Sequence, residues 1–145
     1  MAEVFRRTRV VRFGQCDPAG IVYYPRYTEL GHELVEEWFR EGLGVDFHTL
    51  HEEWGQGFPT ASLELDFLRP TRYGETLDCA LWVTRLGESS LMLVLEFACA
   101  GEVRVRIRQR LVNVDYRTLR PGAMVPALRT QFARFLHAKD TPSPP

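Results

Sequence analysis

A chain of 145 residues, 45% hydrophobic and 26% charged, has the bulk of one globular domain and little room for a second. Its formal net charge of −1 gives no overall pull toward nucleic acid or an anionic membrane, although Lys139 is the only lysine and arginine supplies every other fixed positive charge. Three cysteines (Cys16, Cys79, Cys99) without a C-x-x-C pair exclude a disulfide framework and a zinc ribbon, and no run approaches the ~20 apolar residues of a membrane span.

Val4 to Phe13 alternates loosely and predicts a first strand. The stretch that follows, Gly14 to Tyr27 (GQCDPAGIVYYPRY), is the distinctive one. Pro18 fixes its own φ and pushes Asp17 out of the helical region, while Gly20 permits a backbone angle other residues avoid. Pro25 suits the first position of a helix. A carboxylate in a rigid turn therefore precedes a helix N-terminus with free N–H groups, a pairing acyl transfer can use as base or nucleophile plus oxyanion site. The same residues also suit a plain strand–turn–helix connection in which Asp17 only closes the turn.

From Tyr27 the apolar residues fall at Leu30, Leu34, Val35, Trp38 and Phe39, a helical period. Gly42 and Gly44 end it. Asp46 reads as the cap of a short helix, Phe47 to Trp54, stopped by Gly55. The period then switches to two. Leu63, Leu65 and Phe67 predict a strand, as do Leu77 to Val83, Leu91 to Cys99, and Val103 to Ile107 running on to Val114. Gly87-Glu88-Ser89-Ser90 is a hairpin signal. Residues 115–122 form a loop, and Pro126 opens a last helix through Ala138, with Leu128, Phe132, Phe135 and Leu136 inward. Thr141 to Pro145 reads as a disordered tail after a single domain over residues 1–140. One long helix and about four consecutive antiparallel strands give an α+β fold in which the sheet wraps the helix.

Familiar catalytic signatures are missing: no G-x-S-x-G, H-E-x-x-H, P-loop or G-x-G-x-x-G occurs. His48 and His51 lie one turn apart, the spacing of a shared metal but also of ordinary surface histidines. Cys16 beside Asp17 has no histidine nearby in sequence and reads as a packing residue. Arg104, Arg106, Arg108 and Arg110 line one face of a strand with no interleaved aromatics, which favours a solvated or packed sheet face over nucleic-acid binding. Arg120, in a loop, is a better candidate for a phosphate.

The run FGQCDPAGIVYYPRY resembles the active-site loop of the 4-hydroxybenzoyl-CoA thioesterase family of hot-dog-fold acyl-CoA thioesterases, which includes Tol-Pal-associated members. The likeness extends through DFLRPTRYGETL, GESS and LVNVDYRTLRPGAMVP. It implies a hot dog fold paired across two subunits into one sheet, with active sites at the dimer interface, and tetramers as a common assembly. It assigns Asp17 as the catalytic carboxylate and the Tyr24 N–H as the group that polarises the thioester carbonyl. Gly20, Ile21 and Val22 shape the loop, and Arg120 loosely matches a place for CoA phosphates. Where hydroxybenzoyl-specific members carry an acid that meets the phenol, a gap-free count from Asp17 gives His32. GESS lacks the basic cluster those members use near CoA.

The expected activity is hydrolysis of an acyl-CoA to acid and CoA, with no metal and no cofactor beyond the CoA of the substrate. A thiolate leaving group, from a thiol of pKa ~8.5, departs with little protonation, so one carboxylate can suffice. The alternative is a non-catalytic acyl-CoA or partner-binding module. A hydratase or dehydratase is disfavoured because residues 14–27 contain no histidine. The start Met1-Ala2-Glu3, with Arg6 and Arg7, leads into no apolar leader segment, so a cytoplasmic protein is expected.

Overall fold

The structure, a computed structural model, describes residues 2–137. The expected tail (141–145) and the expected end of the last helix at Ala138 lie outside the described residues.

Alternating apolar side chains build β1 (Phe5–Val10), β3 (Thr60–Phe67), β4 (Thr76–Leu86), β5 (Ser90–Cys99) and β6 (Glu102–Val112), while the 3.6-residue stripe builds α1 (Arg26–Glu37). The strands form one antiparallel sheet in the order β1-β4-β5-β6-β3. Two short strands, β2 (Gln56–Gly57) and β7 (Val114–Asp115), pair separately, and α2 (Pro126–Ala133) closes the fold. The β4–β5 hairpin turns at Gly87, whose N–H meets the Ser90 carbonyl at 2.8 Å.

The sheet's inner face (Leu77, Leu81, Leu93, Leu95, Phe97, Ile107) packs on Leu30, Leu34, Trp38 and Phe39 of the helical segment, all buried. The contact is close at Gly31, where an added Cβ would lie 3.2 Å from Ile107 Cδ1. Here glycine lets the helix approach the sheet. The sheet thus wraps the helix, as the apolar stripe predicted.

Several details differ from the sequence reading. Pro25 is the N-cap rather than the first helical residue, with Arg26 taking that place. The long helix changes to a π turn over Trp38–Gly42, and the short helix after Asp46 likewise becomes a π turn at Thr49–Glu53. Asp46 does act there, its Oδ1 accepting the Thr49 N–H at 2.7 Å. The strand expected to run to Val114 stops at Val112, because Asn113 turns its side chain into the 122–123 backbone.

Leu136, expected inward, is 39% exposed. The helix ends near Arg134, and residues 135–137 run beside β4, with Val83 N–H donating to the Phe135 carbonyl at 2.9 Å. The strands are consecutive in the chain but not in the sheet: β3 pairs with β6 at one edge, so residues 68–75 cross to reach β4. Having no strand neighbour on its other side among the described residues, β3 leaves Leu63 and Phe67 44% and 51% exposed, against the expected burial.

Candidate active site

The loop expected to carry chemistry leaves β1 through a 3-10 turn at Phe13–Gln15 and is tied down at several points. Asp17 N–H donates to the Ile21 carbonyl, and Gly20 N–H to the Asp17 carbonyl, both at 2.9 Å. Gly20 has φ +78°, which closes this turn and which an L side chain resists. Asp17 Oδ1 accepts the Ala19 N–H at 2.9 Å, an Asx turn that fixes the carboxylate. Among the described residues nothing donates to Asp17 Oδ2. The side chain is half-buried.

The crossover from β3 to β4 is the floor beneath this loop. Ile21 bridges Arg72, and Val22 N–H donates to the Thr71 carbonyl at 2.8 Å. Arg104 anchors the crossover: its Nη1 donates to the Pro70 carbonyl at 2.9 Å, and its two Nη atoms reach both Glu75 oxygens at 3.1 and 3.0 Å. The Arg104 hydrogen bonds, with help from the Arg72 N–H, hold the Glu75 carboxyl down to about 2.

At the helix entry, Tyr23 N–H donates to the Gln15 carbonyl and Arg26 N–H to the Tyr23 carbonyl. Pro25 has no N–H to give. Among the described residues the Tyr24 N–H meets no acceptor. Tyr24 itself helps to wall a cavity of about 290 Å³, together with Ile21, Val22, Tyr27, Phe67 and Leu68, with the crossover beneath. Asp17 and Gly20 hold the loop but do not wall this cavity.

The structure therefore gathers Asp17, Gly20, Ile21, Val22 and Tyr24 on one loop. It places His32 and Arg120 elsewhere. His32 is exposed on α1 near Glu36, at 3.9 Å, and helps to wall a second, apolar cavity of about 400 Å³. Its other walls include Phe39, Phe47, Phe58, Leu111 and Tyr116. His51 lies flat on Tyr116, ring centres 4.3 Å apart, and so serves the cavity wall. Arg120 is exposed in the loop after β7, next to Leu119, which lines the same cavity. Among the described residues no carboxylate pairs with Arg120.

The two cavities lie at opposite ends of β3. One involves Thr60 and the other Phe67, seven residues on, which at ~3.3 Å per residue is roughly 23 Å.

The arginine stripe faces the sheet's outer side and is largely committed. Arg104 pairs with Glu75 and Glu102, Arg106 with Glu96, and Arg108 with Asp66. All three cysteines are free, and burial pushes the Cys79 thiol up to about 12. Cys16 Sγ lies 3.7 Å from the Arg12 carbonyl, packed as expected. The sequence reading missed the second cavity, the Arg104–Glu75 anchor and the Thr71 floor. Only the large number of aromatics near the helix hinted at the first. No helix among the described residues is long and apolar enough to cross a membrane.

Residues 11–135 match the Thioesterase-like superfamily. A protein of Synechococcus elongatus named 1,4-dihydroxy-2-naphthoyl-CoA hydrolase is 35% identical over 80 residues, 54% of this chain and 58% of that relative. The chain thus spans little more than half the length of that relative. Among solved structures, a thioesterase superfamily protein from Jannaschia sp. CCS1 superposes with a TM-score of 0.86 at 24% identity, covering 92% of this chain and 94% of that one. A Staphylococcus aureus protein solved in complex with CoA gives 0.87 at 16% identity, covering 100% and 90%.

Proposed function

The chain belongs to the Thioesterase-like superfamily, and from that premise we propose that it hydrolyses an acyl-CoA thioester to a carboxylic acid and CoA. One observation carries the reading. A single loop holds a half-exposed carboxylate with one oxygen pinned, and a main-chain N–H with no acceptor among the described residues. Asp17 Oδ2 is the group that attacks the carbonyl or takes a proton from the attacking water. The Tyr24 N–H receives the charge that grows on the carbonyl oxygen, an interaction worth ~3–4 kcal/mol where such donors have been removed. The C–S bond then breaks and CoA leaves as a thiolate; on the nucleophilic route the acyl group is left on Asp17 as an anhydride, which water cleaves to release the acid and restore the carboxylate. No step needs a metal or a further cofactor.

The acyl group needs an apolar receptacle, and the larger one lies at the far end of β3. β3 is an eight-residue edge strand with exposed Leu63 and Phe67, a ready template for a second copy. Antiparallel pairing of β3 with its mate about a two-fold axis would bring the Phe67 end of one protomer to the Thr60 end of the other. Asp17 of one subunit would then face the aromatic cavity of its partner, and a homodimer or a dimer of dimers would be the active form. Rings of Phe39, Phe47, Phe58 and Tyr116 in that cavity, and the naphthoyl-CoA named for the Synechococcus relative, support an aromatic acyl group. His32, which helps to wall that cavity, is the candidate to touch it, as the acid does in the 4-hydroxybenzoyl-CoA thioesterase family that the loop resembles. Arg120 is the candidate for CoA phosphates, and the CoA complex of the Staphylococcus relative supports a CoA ligand.

The test is release of free thiol from a panel of aromatic and aliphatic acyl-CoAs. Turnover with preference for aromatic acyl groups is expected. Equilibrium binding of acyl-CoA with no thiol released would instead establish a non-catalytic binding module.

A further inference from the structure

We propose that Tyr27 and Thr71 are positioning residues that set the Asp17–Tyr24 loop in register with the first turn of α1. Both are buried, at 3% and 1% exposure, and Tyr27 Oη donates to Thr71 Oγ1 at 2.9 Å. Packing alone does not require that hydroxyl. The Tyr27 ring already sits between Phe67 and Phe97, with centres 6.1 and 5.8 Å away, where phenylalanine would fill the same space. A buried hydroxyl pair is kept where it fixes a geometry, because each partner is costly to leave alone.

What the pair fixes can be followed bond by bond. Thr71 carries the carbonyl that accepts the Val22 N–H, and Ile21, next in the chain, accepts the Asp17 N–H. Tyr27 stands three residues after Tyr24, whose carbonyl accepts the Tyr27 N–H at 3.3 Å. The hydroxyl bond therefore closes a ring that runs from the helix turn through the crossover and the loop back to the same turn. The crossover is itself held by Arg104 at Pro70 and Glu75, so Thr71 has little freedom to follow a displaced loop. Burial raises the Tyr27 hydroxyl's pKa, which keeps it a neutral donor.

The kinetic part rests on the thioesterase reading; the structural part does not. In the full chain, Tyr27→Phe and Thr71→Val are compared with Thr71→Ser, which keeps the acceptor oxygen. Amide hydrogen exchange at Val22 is expected to speed up by ~10-fold or more in the first two. Sheet amides such as Leu95 are expected to be unchanged, and Thr71→Ser to behave as wild type. Because a misplacement of ~1 Å can cost on the order of 100-fold, kcat should fall by ~10- to 100-fold with KM within about twofold. Unchanged Val22 exchange, equal acceleration throughout the sheet, or failure of serine to rescue would each overturn the proposal. A wild-type protein that releases no thiol from any acyl-CoA would sink the thioesterase reading, and the exchange data would still decide the positioning role.

Discussion

Replacing Asp17 by asparagine separates the chemistry of this loop from its architecture. The amide oxygen of asparagine can accept the Ala19 N–H that Asp17 Oδ1 now accepts at 2.9 Å. The turn's other bonds, from Asp17 N–H to Ile21 and from Gly20 N–H to Asp17, are main-chain and survive. A charged acceptor is roughly twice as strong as a neutral one, so the structural loss is bounded at ~1 kcal/mol. The loss expected if Asp17 is the base or nucleophile is of another order. A positioned general base is worth ~10²- to 10⁴-fold in rate, which at ~1.4 kcal/mol per decade is ~3–6 kcal/mol, and loss of a nucleophile would cost at least as much. The assay is thiol release under saturating acyl-CoA alongside chemical unfolding of both proteins. Asp17→Asn should unfold within ~1 kcal/mol of wild type and lose 100-fold or more in kcat. Turnover within about threefold of wild type, in a variant of unchanged stability, would refute the catalytic role of this carboxylate.

Gly20→Ala should destabilise by ~1–2 kcal/mol, because the cost comes from the φ of +78° and not from crowding, the nearest atom to an added Cβ being Tyr73 Cε1 at an ordinary 3.5 Å; an equal or higher unfolding midpoint would count against it. Glu75 ordinarily titrates near 4.5 and is held at about 2 by Arg104 and the Arg72 N–H, so its stabilising contribution is full above pH ~4.5 and is lost as pH falls toward 2. Urea unfolding at pH 5 and pH 2.5 should therefore show a smaller acid loss in Glu75→Gln than in wild type, and an equal loss would contradict the assignment. Leu63→Arg places a charge on the exposed edge of β3; sedimentation should shift from dimer or larger toward monomer, with turnover falling in step. A monomeric wild type at full activity would remove the shared-site argument.

Periodicity was enough for the layers because burial there depends on nearest neighbours along the chain. Tyr27, Leu30, Leu34, Val35, Trp38 and Phe39 are all buried on one helical stripe, and Leu77, Cys79, Leu81 and Val83 on one sheet face. The turn at Asp17 was equally legible, since Pro18 and Gly20 dictate local backbone angles. The position of β3 was not: alternation in Leu63, Leu65 and Phe67 reports a strand but not which neighbour it takes, and this edge strand wears the same pattern with two of those three residues uncovered. Trp82 escaped for a related reason. It lies on the outer face yet is fully buried, because residues 135–137 return beside β4 and bring His137 against it. Arg104 read as one of four like residues in a stripe; only the crossover, formed by residues 68–75, reveals it as an anchor.

Two polar residues outside the aromatic side chains are buried among the described residues, Thr71 and Asn113, each 1% exposed. Their positions bear on how this fold divides its labour. Thr71 accepts from Tyr27 and, through its carbonyl, from Val22, fixing the loop that carries Asp17. Asn113 Nδ2 donates to the carbonyls of Gly122 and Ala123 at 2.9 and 3.2 Å, closing the loop that carries Tyr116, Leu119 and Arg120 beside the aromatic cavity. Burying such groups is unfavourable, the more so for Asn113, whose Oδ1 meets no partner among the described residues, so a core meant only for stability would do better with apolar side chains at both places. That the two exceptions each hold one irregular segment, at opposite ends of β3, matches a division in which one end supplies the carboxylate and the other receives the acyl group. Regular hydrogen bonding fixes the sheet between them; irregular backbone at each end has no such ladder and depends on a side chain to define it.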